Sequence, residues 1–375
     1  VKTHRRQAVC LIIIFLALIG LLAPVEIVLE WRAGDSPQIM ELFRQAPTKA
    51  SLKRLEQNLE SRCLLGQAVR PWVQLSRSVL LQDMGDKAVL GRDGWLFYRP
   101  AVQYLIEPCP PQTESGNTFD AIISFRNELA QRNIQLLVMP APNKASVYPD
   151  KLAARAAQAT GSVNATTGDI LSKLKRAGVE VVDLCETYAK ARRETDALEY
   201  YLAQDSHWSP EGMRRAAAVV ARKLLESGWV ERGTTTYQTR PMAIERYGDV
   251  LQMMRMPRME RLFEPEQIDC TQVVDAGTGR PYIDDPNSPV LVLGDSFLRI
   301  FERDEPGSGG FVAHLARYLG FGLTTVVNDG GASTLVRQHV AGKPALLEGK
   351  KVVIWEFVER DIRFGTEGWQ VIHLP

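Results

Sequence analysis

Apolar and polar positions change their spacing several times along this chain, and each change marks a predicted element. From Ala8 to about Pro24 the chain is almost continuously apolar, and Lys2, His4, Arg5 and Arg6 precede the run. That is a basic leader followed by a membrane-inserting segment, near the lower length limit for a bilayer span. Extending the run through Val25 to Leu29 puts Glu26 at the membrane boundary. No small-x-small cleavage site follows, which favours an uncleaved signal anchor over a removed signal peptide. The basic residues then stay in the cytoplasm and the remainder is exported. Residues 30–90 read as polar helix, with apolar positions recurring at Ile39, Leu42, Phe43, Leu52, Leu55 and Leu59.

Beyond this lead-in the period alternates between that of helix and that of strand. Gly91-Arg92-Asp93-Gly94-Trp95-Leu96-Phe97-Tyr98 predicts a tight loop entering a strand. Thr118 to Arg132 is an amphipathic helix, and Ile134 to Met139 a strand stopped by Pro140 and Pro142. Thr167 to Ala177 is helical, and Val179 to Leu184 a second strand. Pro210 to Ser227 is a helix with Ser209 as N-cap, Pro210 in its first turn and Glu211 suiting the dipole. Val290 to Leu293 is a buried strand, Phe311 to Leu319 a helix and Thr324 to Val327 a strand. Ser333 to Val340 is a helix, and Val352 to Trp355 a last strand. The stretch 232–288, rich in Arg, Met and Pro, reads as an irregular insertion. Alternating strands and helices predict an α/β fold with a mostly parallel sheet covered on both faces. Ligands of such sheets sit beyond the carboxyl ends of the strands.

Composition narrows the function classes. The 375 residues carry a net charge of +1, so no global field points to nucleic acid. Outside the apolar run lie Cys63, Cys109, Cys185 and Cys270. An exported domain can oxidise them, and at least one disulfide is expected, its pairing left open. Cys185 follows a strand-like run and suits a free buried thiol. Cys109 and Cys270 read as loop cysteines. With no CxxC pair and no nearby histidine, a zinc site is not expected, nor any other metal or cofactor.

Two short motifs carry the chemistry. Asp205-Ser206-His207-Trp208 offers a carboxylate and an imidazole two positions apart. Gly294-Asp295-Ser296-Phe297 offers a serine directly after the apolar run Pro289 to Leu293. A serine attacks only when a base takes its proton, and a carboxylate fixes that base's tautomer. Ser296 at a strand-to-helix turn also leaves backbone amides free to hold a developing oxyanion. His207 stands out among the five histidines because a carboxylate lies two positions before it at the edge of a helix N-terminus. The bland alternative is that Asp295 or Ser296 caps a helix and His207 packs on Trp208. Asn328-Asp329-Gly330-Gly331 follows another predicted strand end. Gly330 and Gly331 there are oxyanion candidates, a tight turn being the alternative. Lys144 and Arg360 are candidate contacts for an anionic ligand, solvated surface bases being the alternative. Trp95, Phe97 and Tyr98 are either ligand-stacking or core.

The combination of motifs resembles the alginate O-acetyltransferase group of the serine-glycine-asparagine-histidine (SGNH) hydrolase superfamily. Asp205-x-His207-Trp208 followed by Gly294-Asp295-Ser296 has that group's order, permuted relative to the superfamily at large. Gly91 to Phe97 is similar to its N-terminal signature. Pro140-Ala141-Pro142-Asn143-Lys144 with Tyr148-Pro149 is similar to its Pro-x-Pro-x-Lys and Tyr-Pro segment. Val353-Ile354-Trp355-Glu356-Phe357 with Glu359-Arg360 is similar to its last strand. The resemblance covers roughly residues 85–365. It implies a three-layer sandwich over 85–375, after a transmembrane anchor in 1–30 and a membrane-proximal segment in 31–84. It implies an inner-membrane, single-pass enzyme with its catalytic domain in the periplasm. Its acceptor would be an exported polysaccharide, and a membrane-embedded acyltransferase would supply the acetyl group. Ser296, His207 and Asp205 would be nucleophile, base and orienting acid. Some members carry a C-terminal carbohydrate-binding module; this chain ends soon after the last core strand and resembles the shorter, anchored members. No superfamily-type asparagine is found apart from Asn328. Two other readings stay open: an acetylesterase with the same triad, and a non-catalytic scaffold or glycan-binding subunit of a secretion complex.

Overall fold

The computed structural model describes the chain apart from residues 1, 38, 41–47, 50, 54–62, 82, 108–117, 157–163, 195–197, 256–262 and 365–367. It divides into two compact units. One holds residues 1–83 with 255–259, and the other holds the rest.

In the first unit, α1 (Lys2–Ala33) carries the apolar run on one continuous helix, and α2 is Leu64–Leu81. Most side chains of that run lie outside the described residues. Among the described residues, no helix is long and apolar enough to cross a membrane. Much of 30–90 also lies outside them. Glu26 caps α2: its carboxylate accepts the Leu64 amide at 2.6 Å and the Leu65 amide at 2.8 Å. A helix N-terminus leaves such donors without intrahelical partners, and a carboxylate there also meets the positive end of the dipole.

The second unit opens with a small antiparallel pair, β1 (Ala88–Leu90) and β2 (Leu96–Tyr98). Then follow α3 (Thr118–Ala130), β3 (Gln135–Ala141), α4 (Ala165–Arg176), β4 (Glu180–Val181), α5 (Leu184–Glu194) and α6 (Pro210–Glu226). Next come β5 (Tyr237–Arg246), α7 (Asp249–Met253), β6 (Glu266–Asp275), β7 (Val290–Gly294) and α8 (Ser296–Arg299). The chain continues through α9 (Phe311–Leu319), β8 (Thr324–Val327), α10 (Leu335–Gly342) and β9 (Val352–Val358).

Five of these strands form one parallel sheet in the order β4-β3-β9-β7-β8. Side chains on a strand alternate between faces, so a strand covered on both sides must be apolar throughout. β7 and β9 are buried along their whole length. Met139, Val292 and Ile354 face one layer with α5, α6 and α9. Val138, Leu293 and Trp355 face the other with α3, α4 and α10. The result is the expected three-layer α/β sandwich. The chain leaves β7 for β8 on one side, then crosses back to β9 on the other. That reversal falls at the carboxyl end of β7, where sheets of this kind bind ligands.

Several expectations need correcting. The strand predicted at Val179 to Leu184 is short, because Asp183 accepts the Glu186 amide at 3.0 Å and starts α5. β3 runs on through Pro140 to Ala141. The supposed irregular insertion at 232–288 holds a long hairpin, β5 against β6, paired over all ten residues of each strand. Its strands are largely polar because a two-stranded ribbon faces water, and they lack the apolar run of a central strand. Among the described residues there is no disulfide: Cys63, Cys185 and Cys270 are free thiols, and Cys109 lies outside them. Cys270 is no loop residue. It is buried on β6, with its side chain turned inward like that of Ile268 two positions earlier.

Candidate functional site

The nucleophile's support is local and tight. β7 ends at Gly294, and Asp295 caps α8, accepting the Phe297 amide at 2.9 Å on Oδ1 and the Val358 amide at 3.2 Å on Oδ2. The Asp295 amide in turn donates to Glu356 at 3.0 Å. A side chain at Gly294 has no room: a Cβ there would lie 2.3 Å from Glu356 Oε2. Ser296 is the first residue of a helix, so its amide has no intrahelical acceptor and is available to an oxyanion.

The acid and base come from a loop without regular structure, residues 199–208. The structure brings them to the serine. His207 Nε2 is 2.8 Å from Ser296 Oγ, and His207 Nδ1 is 2.6 Å from Asp205 Oδ1. The latter contact requires hydrogen on Nδ1, leaving Nε2 as the acceptor of the serine proton. The His207 ring packs on Phe297 at 4.8 Å between centroids. Trp208 is fully buried between Phe297 and Phe311.

Burial disfavours charge on Asp205, but the His207 ring and then Arg246 overcome it and hold the carboxyl well below the ordinary range. For His207, burial pushes the pKa down, and Asp205 followed by Asp249 more than offsets that, so it ends above the ordinary imidazole value. The base is thereby strengthened by a charge that stays ionised.

Five further side chains fix the loop. Lys144 donates from Nζ to the carbonyls of Leu202 at 2.9 Å, Ala203 at 3.0 Å and Asp205 at 2.6 Å. Glu266 on β6 accepts the Ala203 and Gln204 amides at 2.7 and 2.9 Å. Arg246, ending β5, stands 3.2 Å from Asp205 Oδ2. Asp249 accepts the Ser206 amide and hydroxyl, both at 2.6 Å. Tyr201 donates its hydroxyl to the Pro142 carbonyl.

Lys144 therefore corrects the sequence reading. It is 3% exposed and its three donors are spent on carbonyls, so it holds the loop rather than a sugar. Burial pushes its ammonium down to about 8. Trp95 and Phe97 are core, and Lys144 lies 5.4 and 5.1 Å from their ring centroids. Tyr98 and Arg360 are half-buried and stack on each other at 5.0 Å. The Asn328 amide donates to the Gly294 carbonyl at 3.0 Å, so the loop holding Asn328, Gly330 and Gly331 runs beside the nucleophile's strand end. Gly330 has φ +77°, in the left-handed region that favours glycine, and a Cβ at Gly331 would meet Asn328 Oδ1 at 2.5 Å.

Arg246, Asp249 and Glu266 escaped the sequence reading because all lie in the segment read as an insertion. One signal was available. Gly248-Asp249 is a glycine before an acid, and a Cβ at Gly248 would stand 2.2 Å from the Gln204 backbone. Asp205, His207 and Asp249 bring ligand-type atoms within 4.8 Å of one another, a set that suits a divalent cation. Here Arg246 already supplies positive charge at Asp205, and His207 Nδ1 is committed to Asp205.

The family described as SGNH hydrolase-like domain, acetyltransferase AlgX matches residues 88–359. A probable alginate O-acetylase AlgJ of Pseudomonas aeruginosa is 24% identical over 293 residues, covering 74% of this chain and 71% of the relative. Among solved structures, the O-acetyltransferase domain of Pseudomonas putida AlgJ superimposes with a TM-score of 0.56 at 21% identity, over 74% of this chain and 92% of that one. Pseudomonas aeruginosa AlgX gives 0.52 at 20%, over 72% and 62%. These structural likenesses bear on the fold.

Proposed function

The chain belongs to the SGNH hydrolase-like AlgX acetyltransferase family, and from that premise we propose an O-acetyltransferase that works through an acetyl-serine and delivers acetyl to hydroxyls of an exported, alginate-like polysaccharide. The observation that carries the reading is the unbroken relay Asp205–His207–Ser296, at 2.6 and 2.8 Å.

The steps follow from the atoms. Ser296 Oγ attacks the acetyl carbonyl carbon as His207 Nε2 takes its proton. Asp205 stabilises the imidazolium through Nδ1 without itself taking the proton. The Ser296 amide, with the Asn328–Gly331 loop beside it, supports the oxyanion. The carbonyl reforms, the bond to the leaving group breaks, and His207 returns the proton to that group. A sugar hydroxyl then gives its proton to His207 and attacks the acetyl-serine. Collapse of the second tetrahedral intermediate frees Ser296, which regains its proton from His207.

The same reading assigns residues 1–30 to a cytoplasmic basic segment and single-pass inner-membrane anchor, 31–84 to a membrane-proximal segment and 85–375 to a periplasmic catalytic domain. The apolar run supports it, as does the 32-residue length of α1, roughly 48 Å of helix. The acetyl donor is then a membrane-embedded acyltransferase.

The test is acceptor dependence. The full chain is incubated with an aryl acetate, with and without oligosaccharide. Acetylated sugar should appear, and donor turnover should rise with acceptor. Acetate release indifferent to acceptor, with no acetylated sugar, would replace the transferase reading by an esterase.

A further inference from the structure

Asp249 enters the site from the segment between the two motifs, and the proton relay described above does not use it. Its carboxylate is tied to the acid-base loop at several points. Oδ1 accepts the Ser206 amide at 2.6 Å, and Oδ2 accepts the Ser206 hydroxyl at 2.6 Å. Oδ2 also lies 3.5 Å from His207 Nδ1, the nitrogen that Asp205 holds at 2.6 Å. The Asp249 amide donates to Asp205 Oδ2 at 3.1 Å. One turn thus grips both carboxylate and imidazole of the relay. Two acids face one ring nitrogen, and Arg246 balances them at 3.2 Å from Asp205.

We infer that Asp249 is a positioning residue of the acyl-transfer reaction: it fixes the Ser206 turn and supplies a second negative charge to the His207 imidazolium. This rests on the reading of Ser296 and His207 as nucleophile and base. The imidazolium exists only while Ser296 or the acceptor is deprotonated, so a charge beside it favours the transition state over the resting state. The surrounding charges suit that timing. Asp249 faces Asp205 and His207 on the loop and acts on Lys144 after β3, Arg246 from β5 and Glu266 from β6 act on Asp205, and Asp295 acts on His207 from the nucleophile's side. Burial and then Asp205 raise its pKa, whereas the His207 cation lowers it. Asp249 therefore carries most negative charge when the ring is protonated.

The experiment follows acetyl-enzyme formation by the full chain, using an aryl acetate burst across pH. Asp249→Asn keeps an acceptor for the Ser206 amide and removes the charge. Its kcat should fall roughly tenfold, the loss equivalent to about one pKa unit of charge stabilisation, with KM unchanged. The acidic limb should move to lower pH, because His207 loses one of the anions that raise its pKa. Asp249→Glu should return the limb towards the wild-type position. If Asp249→Asn does not fold, Asp249→Glu against Asp249→Gln makes the same comparison. An unchanged rate overturns the inference, as does a slowed enzyme whose acidic limb stays put, which is what a purely structural role would give. Absence of any wild-type burst would instead sink the reading on which the inference rests.

Discussion

The two halves of the relay reach the same 2.8 Å contact by opposite routes. The serine stands at the end of a fully buried central strand, and its turn is secured within a few residues by Gly294, Asp295 and the neighbouring strand β9. The histidine stands in a loop with almost no secondary structure of its own. Side chains from β5, β6, α7 and the segment after β3 hold that loop from outside. A nucleophile on a strand end is placed by the sheet. A base on a loop needs its own set of donors and acceptors, each specific to one backbone group. The first half should tolerate no added volume, and the second should tolerate no lost partner.

The largest effect is expected from Lys144→Met. It takes the donor from the buried Leu202 and Asp205 carbonyls, while the Ala203 carbonyl keeps the Leu96 amide, at about 1–3 kcal/mol for each unpaired group before relaxation. A loss on the order of 3–5 kcal/mol should appear in the denaturation midpoint. Acetyl transfer should fall by roughly a hundredfold or more in whatever folds, since a displacement of about 1 Å is enough for that. A variant with wild-type midpoint and rate would show that the loop holds its shape unaided.

Gly294→Ala tests the other half. Its Cβ would meet Glu356 Oε2 and Leu298 Cδ1 at 2.3 and 2.4 Å, both inside a packed core. Overpacking of this kind costs about 1–3 kcal/mol. Because the strain lies beside Ser296, the rate should fall while the Asp205–His207 pair keeps its geometry. A chemical-shift measurement on the His207 Nδ1 proton would read that pair directly. A perturbed His207 resonance would mean that the two halves are coupled more tightly than their separate supports suggest.

The contrast also accounts for what the sequence revealed. Apolar runs at Val290 to Leu293 and Val352 to Trp355, the Ser209-Pro210 helix start and the Gly-Asp-Ser turn are local signals, and each element formed where its pattern lay. The order of Asp205, His207 and Ser296 was legible because reactive residue types are scarce. Asp249, Arg246 and Glu266 were not legible. Their roles depend on a polar hairpin folding over the loop, and Glu266 lies sixty-two residues from the amide of Gln204 that it accepts. Lys144 misled for a related reason: a lone lysine looks solvent-bound until the carbonyls around it are known.

The smallest effect is expected from Glu266→Gln. The amide oxygen can still accept one of the two loop amides, and the other is left unpaired at about 1–2 kcal/mol. The rate should drop by several-fold, with the nucleophile's turn untouched. An unchanged rate would show that Lys144, the Leu96 amide and the Glu264 carbonyl hold residues 203–204 without Glu266.

The central claim is that Ser296 carries the acetyl group between donor and sugar. Incubating the full chain with an acetyl donor and no acceptor, then quenching in acid and mapping peptides by mass spectrometry, reads that step directly. The account predicts a single acetyl group on Ser296, lost when oligosaccharide is added as acetylated sugar forms, and absent in Ser296→Ala. Acetyl on a different residue, or sugar acetylated at the wild-type rate by Ser296→Ala, would contradict it.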